Sequence, residues 1–359
     1  MQRTVRQMEE RSKNVLDEEE AHFTRKDFIP TGSTLFNLAL SDNPFGGFVL
    51  GRMSNIVGDN STGKTFAFMT MLAEVCGLRR FNDFRVIHDD VERGYSFNTR
   101  KLFGNKLADR LESPLRDREG ESIHSKTIQD FQTNIMRCIS KKVPFIYGLD
   151  SFDALTSDEE VVLTAKNVRA KDRGAKTSSS YGTEKTKGLG AMFRQIKDGL
   201  EETHSHLVII SQVRQNLNAG PFSPKFRRSG GQALGHYVTH EVWLSRHGKL
   251  KKMDRVIGAV VAPKVIKNRV TGKVREVTFP LYYDYGIDDI GSCVDFMFEQ
   301  GYWKGSSITV GESSLKGDRE HLIRQIEENG LVKDMRKSVG YAWMDIENKL
   351  KLNRVPKYI

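Results

Sequence analysis

No stretch of the chain is apolar for long enough to cross a bilayer, and no apolar leader opens it; MQRTVRQMEERSKNV is polar and charged from its first residues. The expectation is a cytoplasmic protein with no membrane partner. Cysteine is scarce. Cys76, Cys138 and Cys293 are odd in number, widely spaced and without a C-x-x-C pair, which argues against a disulfide framework and a cysteine zinc site. They read as small core residues. Acid is short relative to base, 46 Asp and Glu against 56 Lys and Arg, which leaves a net charge of +10. Such a surplus suits a polyanionic partner. Familiar catalytic signatures are missing too. There is no nucleophile elbow or dinucleotide fingerprint. His236 and His240 stand four apart but not as H-E-x-x-H, so no zinc site is expected there.

The basic surplus is clustered. Residues 161–187 hold seven Lys or Arg and two acids, 213–230 four and none, and 245–275 ten and one. Three such stretches favour nucleic acid over an evenly solvated surface.

Apolar runs alternate between strand and helix character. Strands are expected at 52–57, 84–89, 144–149 and 207–212, and helices at 64–76, 127–139 and 189–201. That order implies an α/β fold, a mainly parallel sheet flanked by helices. A charged helix is expected before residue 21, and FIPTGSTLFNLAL reads as a turn and helix capped by Ser33 or Thr34. Polar loops are expected at 157–187 and 214–230. From 238 to 280 strand-like runs recur, broken at Arg246–Lys252. From 288 a small α/β domain is expected, mostly helical, with helices near 292–300, 318–329 and 341–350. The implied division is an N-terminal arm at 1–27, a core at 28–287 and a C-terminal domain at 288–359.

GDNSTGKT, Gly58 to Thr65, matches G-x-x-x-x-G-K-[ST] between an expected strand and helix. The backbone N–H groups of Gly58, Asp59, Asn60, Ser61, Thr62 and Gly63 can turn inward around phosphate, and the helix N-terminus adds partial positive charge. Lys64 reaches the β- and γ-phosphates, and the Thr65 hydroxyl is a Mg²⁺ ligand. ATP and Mg²⁺ are the cofactors implied. FIYGLD ends in Asp150, placed to hold Mg²⁺ through water. VIHDDVE offers Asp89, Asp90 and Glu92 to orient the attacking water, and the pattern alone does not choose among them. Gln212 closes HLVIISQ, where an amide can sense the γ-phosphate or simply cap the strand.

IPTGSTLFNLAL, GGFVLGRMSNIVGDNSTGKT, LDS, IISQVRQ, SGGQALGHYVT and KVIKNR stand in the order found in RecA-type recombinases. Over about residues 28 to 290 the chain resembles a divergent member of that family, of the kind bacterial viruses encode. The resemblance implies a RecA-like P-loop core that binds ATP between subunits. It implies a helical filament on single-stranded DNA that pairs with homologous duplex, and single-strand-binding and mediator proteins as further partners. By the same resemblance Glu92 is the catalytic glutamate, Gln212 the γ-phosphate switch, and Lys267 and Arg269 the basic pair that reaches a neighbour's ATP. The two polar loops correspond to DNA-binding loops. The first offers Arg169, Lys171, Arg173 and Lys176. The second offers Arg214, Phe222, Lys225, Phe226, Arg227 and Arg228 and ends in Gly230-Gly231; Phe222 and Phe226 either stack on bases or pack the loop onto the core. Two other functions use the same motifs: a hexameric helicase, and a non-catalytic ATP-gated mediator.

Overall fold

A computed structural model of the chain describes residues 23–173, 188–215, 226–228 and 231–354. The expected N-terminal helix lies outside them. Two compact units result, and they cut the chain at other places than 28 and 288. One takes the described residues up to Phe48 together with Gly248–Val260 and those from Val277 onward; the other takes Val49–His247 and Val261–Glu276.

The second unit is built on a sheet. Its strands are β1 (Arg52–Gly58), β2 (Arg85–Asp90), β3 (Phe145–Asp150), β4 (His206–Gln215), β5 (Phe226–Arg228), and parts of β6 (His240–Lys252) and β7 (Arg255–Asn268). In space they run β6-β1-β4-β3-β2, each neighbour parallel. Such strands are buried on both faces, which is why MSNIVG of β1 is wholly inside. Its helices are α1 (Lys64–Gly77), α2 (Ile128–Ser140), α3 (Asp158–Asp172), α4 (Leu189–Glu202) and α5 (Gly231–Tyr237); α1, α2 and α4 bury apolar side chains, and α3 buries none.

Alternation along the strands sorts the two faces. Tyr147 and Leu149 of β3 join Phe131 and Ile135 of α2 and Phe193 and Ile196 of α4 in one core. Gly148, between them, faces α1, and a Cβ there would come within 2.1 Å of the Phe68 ring. His88 of β2 packs on the same ring, with centroids 5.8 Å apart. The α2 start is fixed by a capping box of Thr127 and Asp130.

Three local expectations change. Residues 158–172 form a helix instead of a loop. Ser157 and Glu160 make a capping box, acids fill its first turn and Arg169 and Lys171 its last. The Gly/Ser/Thr-rich run begins only after Arg173. The strand containing Gln212 continues to Gln215, because Phe226–Arg228 pairs antiparallel with Val213–Gln215. Arg246–Lys252 is strand, not a break: β6 runs on past Leu244 with both faces largely exposed, so apolar alternation could not mark it.

The other unit packs the helix Thr34–Ser41, capped by Ser33, with helices Asp289–Glu299, Arg319–Glu328 and Val332–Leu350. A hairpin of Ser307–Val310 and Ser313–Lys316, whose place the sequence did not mark, joins them. Leu35, Leu38, Cys293, Val294, Met335 and Val339 form its core. Asp289 ties it together, accepting from the Thr34 backbone N–H at 2.5 Å and from Arg336 Nε at 3.0 Å. All three cysteines are buried and free. Among the described residues no helix is long and apolar enough to cross a membrane.

Candidate nucleotide site and its link to the polar loops

Between β1 and α1 the chain makes the turn the GDNSTGKT pattern demands. Gly63 sits at φ +89°, a conformation open to glycine. A Cβ on Gly58 would lie 2.5 Å from Thr62 Oγ1 and 2.9 Å from the Leu244 carbonyl. The Thr62 hydroxyl donates to the Asp59 carbonyl at 2.8 Å, and the Asn60 N–H donates to Asp59 Oδ1 at 2.8 Å. The first amides of α1, from Lys64 onward, have no partner within the helix and face the turn. Lys64 Nζ donates to the carbonyls of Gly58 at 3.0 Å and Asp59 at 2.8 Å. Burial lowers its pKa, opposed by the charges of Asp150 and Glu92.

Asp150 ends β3 beside this loop. Its Oδ2 accepts from Thr65 Oγ1 at 2.6 Å and lies 3.4 Å from His88 Nε2. A carboxylate and a hydroxyl in contact are hard oxygen donors, the kind Mg²⁺ takes, so the residues fit that ion. His88 escaped sequence reading; its only mark is a polar residue within an apolar strand.

The three acids at the end of β2 and just beyond it occupy different settings. Asp89 is fully buried and accepts from Ser125 N at 2.9 Å, Ser125 Oγ at 2.6 Å and Tyr147 OH at 2.6 Å. Asp90 closes a turn, accepting from the N–H groups of Gly94 and Tyr95. Glu92 faces the ends of β3 and β4. Its Oε1 accepts from Ser151 Oγ and, at 2.9 Å, from Gln212 Nε2. Glu92, Ser151 and Gln212 thus meet, and Asp89 and Asp90 are engaged elsewhere.

Beyond Gln212, Arg214 is 63% exposed and donates to Asp153 Oδ1 at 3.2 Å. Phe226 on β5 is about half exposed. Arg228 departs from its expected place on DNA. Its guanidinium turns inward to Glu241, Nε to Oε2 2.7 Å, where Trp243 Nε1 also donates, to Oε1 at 3.0 Å. Gly235 leaves room for it; a Cβ there would meet Arg228 within 2.0 Å. An arginine so enclosed is part of the fold. Arg169 and Lys171 lie in the last turn of α3 and Arg173 caps it. The α5 helix begins at Gly231. Only the backbone of Arg227 is described, opposite Arg214. Lys176, Phe222, Lys225 and Gly230 lie outside the described residues.

Lys267 and Arg269 meet at the end of α5. Lys267 Nζ donates to the Gly235 carbonyl, and Arg269 to the His236 carbonyl at 2.8 Å. Cations at a helix C-terminus are favourable. Burial, and then Arg269, pull the Lys267 pKa down to about 8. His236 belongs to this helix and His240 opens β6.

Residues 150–288 match the family model of the RecA N-terminal domain. Protein RecA of Caulobacter vibrioides is 24% identical over 325 residues, 90% of this chain and 83% of that protein. Protein RecA of Oleidesulfovibrio alaskensis is 24% identical over 318 residues, 88% of this chain and 82% of its own. Protein RecA of Rubrobacter xylanophilus is 25% identical over 311 residues, covering 85% and 81%. Over most of its length the chain is similar to RecA-type recombinases, at low identity. An alignment over 90% of a 359-residue chain necessarily takes in Gly58 to Thr65. The family-model match begins at Asp150 and includes Gln212, Lys267 and Arg269.

Proposed function

We propose that the protein is a DNA-dependent ATPase that assembles on single-stranded DNA as an ATP-gated helical filament and promotes homologous pairing and strand exchange. The observation that carries this is Gln212. Its amide touches Glu92, while the strand it sits on leads two residues later to an exposed arginine. Sensing of nucleotide and binding of a polyanion thus share one strand, a two-state element in the sense that switching requires.

In this reading the amides of Gly58 to Thr65 and the α1 N-terminus bind the phosphates. Lys64 exchanges its two carbonyl partners for β- and γ-phosphate oxygens. Thr65 and Asp150 would hold Mg²⁺, which would supply positive charge to those oxygens. Glu92 orients the attacking water and accepts its proton. Gln212 turns from Glu92 to the γ-phosphate when that phosphate is present. Lys267 and Arg269 reach the nucleotide of a neighbouring subunit in the filament. Arg214, Arg227, Lys225 and the basic end of α3 neutralise DNA phosphates, and Phe226 offers a ring to the bases.

Electron microscopy with single-stranded DNA and a non-hydrolysable ATP analogue tests assembly; open helical filaments are expected, and closed rings would point to a helicase. Lys64→Ala should abolish turnover. A weak ATPase indifferent to both DNA and Glu92→Gln would leave only a mediator role.

A further inference from the structure

Asp153 lies three residues beyond Asp150, in the short turn Phe152–Ala154 that follows β3. Its side chain is only 6% exposed. A carboxylate so enclosed needs donors, and two come from one strand. Oδ2 accepts from the Gln212 backbone N–H at 2.6 Å, and Oδ1 from Arg214 Nε at 3.2 Å. Gln212 is therefore held at two points, its backbone by Asp153 and its amide by Glu92. Glu92 Oε1 already receives Ser151 Oγ as well. In this arrangement that oxygen has two protein donors, and the residue that must move to free it is fixed from behind.

We propose that Asp153 is a positioning residue that latches Gln212 and Arg214 in the resting protein, and that a nucleic-acid phosphate opens the latch by drawing Arg214 away. The inference deepens the recombinase reading and rests on it. The pair is asymmetric: Arg214 is 63% exposed where Asp153 is buried. An ion pair with one solvent-facing partner is weak. A phosphate offers the same guanidinium a bidentate, charge-assisted alternative. Once Arg214 leaves, the buried carboxylate loses that donor, and a buried carboxylate with fewer donors is costly. The hold on the Gln212 backbone loosens, and its amide can leave Glu92. Occupancy at Arg214 is thereby linked to the acid that orients water, with all the residues involved on the ends of β2, β3 and β4.

The test is ATP turnover with and without single-stranded DNA for the wild type, Asp153→Asn and Arg214→Gln, with thermal denaturation of each. Asparagine keeps the shape and a carbonyl for Gln212 but removes the charge that holds Arg214. Turnover without DNA should rise, and the ratio of DNA-bound to DNA-free turnover should fall on the order of fivefold or more, the size of an ordinary coupling. Arg214→Gln should raise DNA-free turnover in the same way and need more DNA for half-maximal stimulation; it carries the test if Asp153→Asn does not fold. An unchanged ratio in both variants, beside a wild type that DNA stimulates, overturns the latch. So does a parallel fall of both rates with the melting temperature, which is what mere packing would give. A wild type that DNA does not stimulate removes the recombinase reading itself, and the latch with it.

Discussion

Asp89, Asp90 and Glu92 stand within four positions, and their surroundings give them three different tasks. Asp89 takes donors from Ser125 and Tyr147. Replacing it with asparagine should cost roughly 1–3 kcal/mol, read as a lower melting temperature. Glu92→Gln should leave the fold unchanged. It should slow ATP turnover by about 100-fold or more while retaining nucleotide-dependent DNA binding in a filter or anisotropy assay; loss of both would make Glu92 structural. Lys267 carries a pH test. With a pKa near 8, against an ordinary 10.5, it is charged below pH 8 and loses its proton as pH rises through that value. A function that needs the cation should therefore decline above pH 8 in the wild type and persist in Lys267→Arg. Stability runs the other way: between about 8 and 10.5 the unfolded chain holds the proton more tightly, so the folded state gains as pH rises. The turn from Gly58 to Thr65 was legible in sequence because its spacing is itself the geometry. The choice of Glu92 over Asp89 needed the family resemblance, because burial of Asp89 depends on Ser125 and Tyr147, far along the chain. Asp153 was not legible at all; its partner Gln212 is 59 residues away.

At the scale of elements, alternation read correctly wherever a strand is buried on both faces and a helix lies on it. It failed where elements face solvent. The α3 helix contains no buried residue, so no apolar stripe announces it, and its capping box is the only local sign. Ser157→Ala should cost the order of 1 kcal/mol, seen as faster amide exchange across residues 158–172. The distal part of β6 escaped notice for the same reason. The junction of β3 and α1 makes the opposite case. Gly148→Ala would push a methyl into the buried Phe68 ring and should destabilise by roughly 1–3 kcal/mol. Because α1 carries Lys64 and Thr65, and β3 carries Asp150, the same change should weaken ATP binding before it unfolds the protein; equal ATP affinity at a lowered melting temperature would separate the two.

For the molecule as a whole, net charge and acid sensitivity set the conditions of use. With +10 overall and basic residues concentrated in a few stretches, DNA affinity should fall steeply and linearly on a log–log salt plot. The slope should flatten by about one for each phosphate-contacting cation removed. Arg214→Gln should flatten it and Arg228→Gln should not, since Arg228 is committed to Glu241. His206 contributes to acid sensitivity. Fully buried, it is held neutral, with its pKa driven down to about 3 by burial. As pH falls from 6.5 toward 3 the unfolded chain takes up a proton that the folded chain refuses, so stability drops across that window. A His206→Gln variant should show a shallower decline in melting temperature between pH 6.5 and 4.

The ammonium of Lys64 rests on two carbonyls of its own turn. A guest phosphate does not meet a bare cation there; it must outbid seats already filled. What it gains is the difference between two sets of charge-assisted contacts. If the proposed nucleotide reading holds, discrimination between tri- and diphosphate should follow from how much of that displacement each can sustain, and not from the full strength of either salt link.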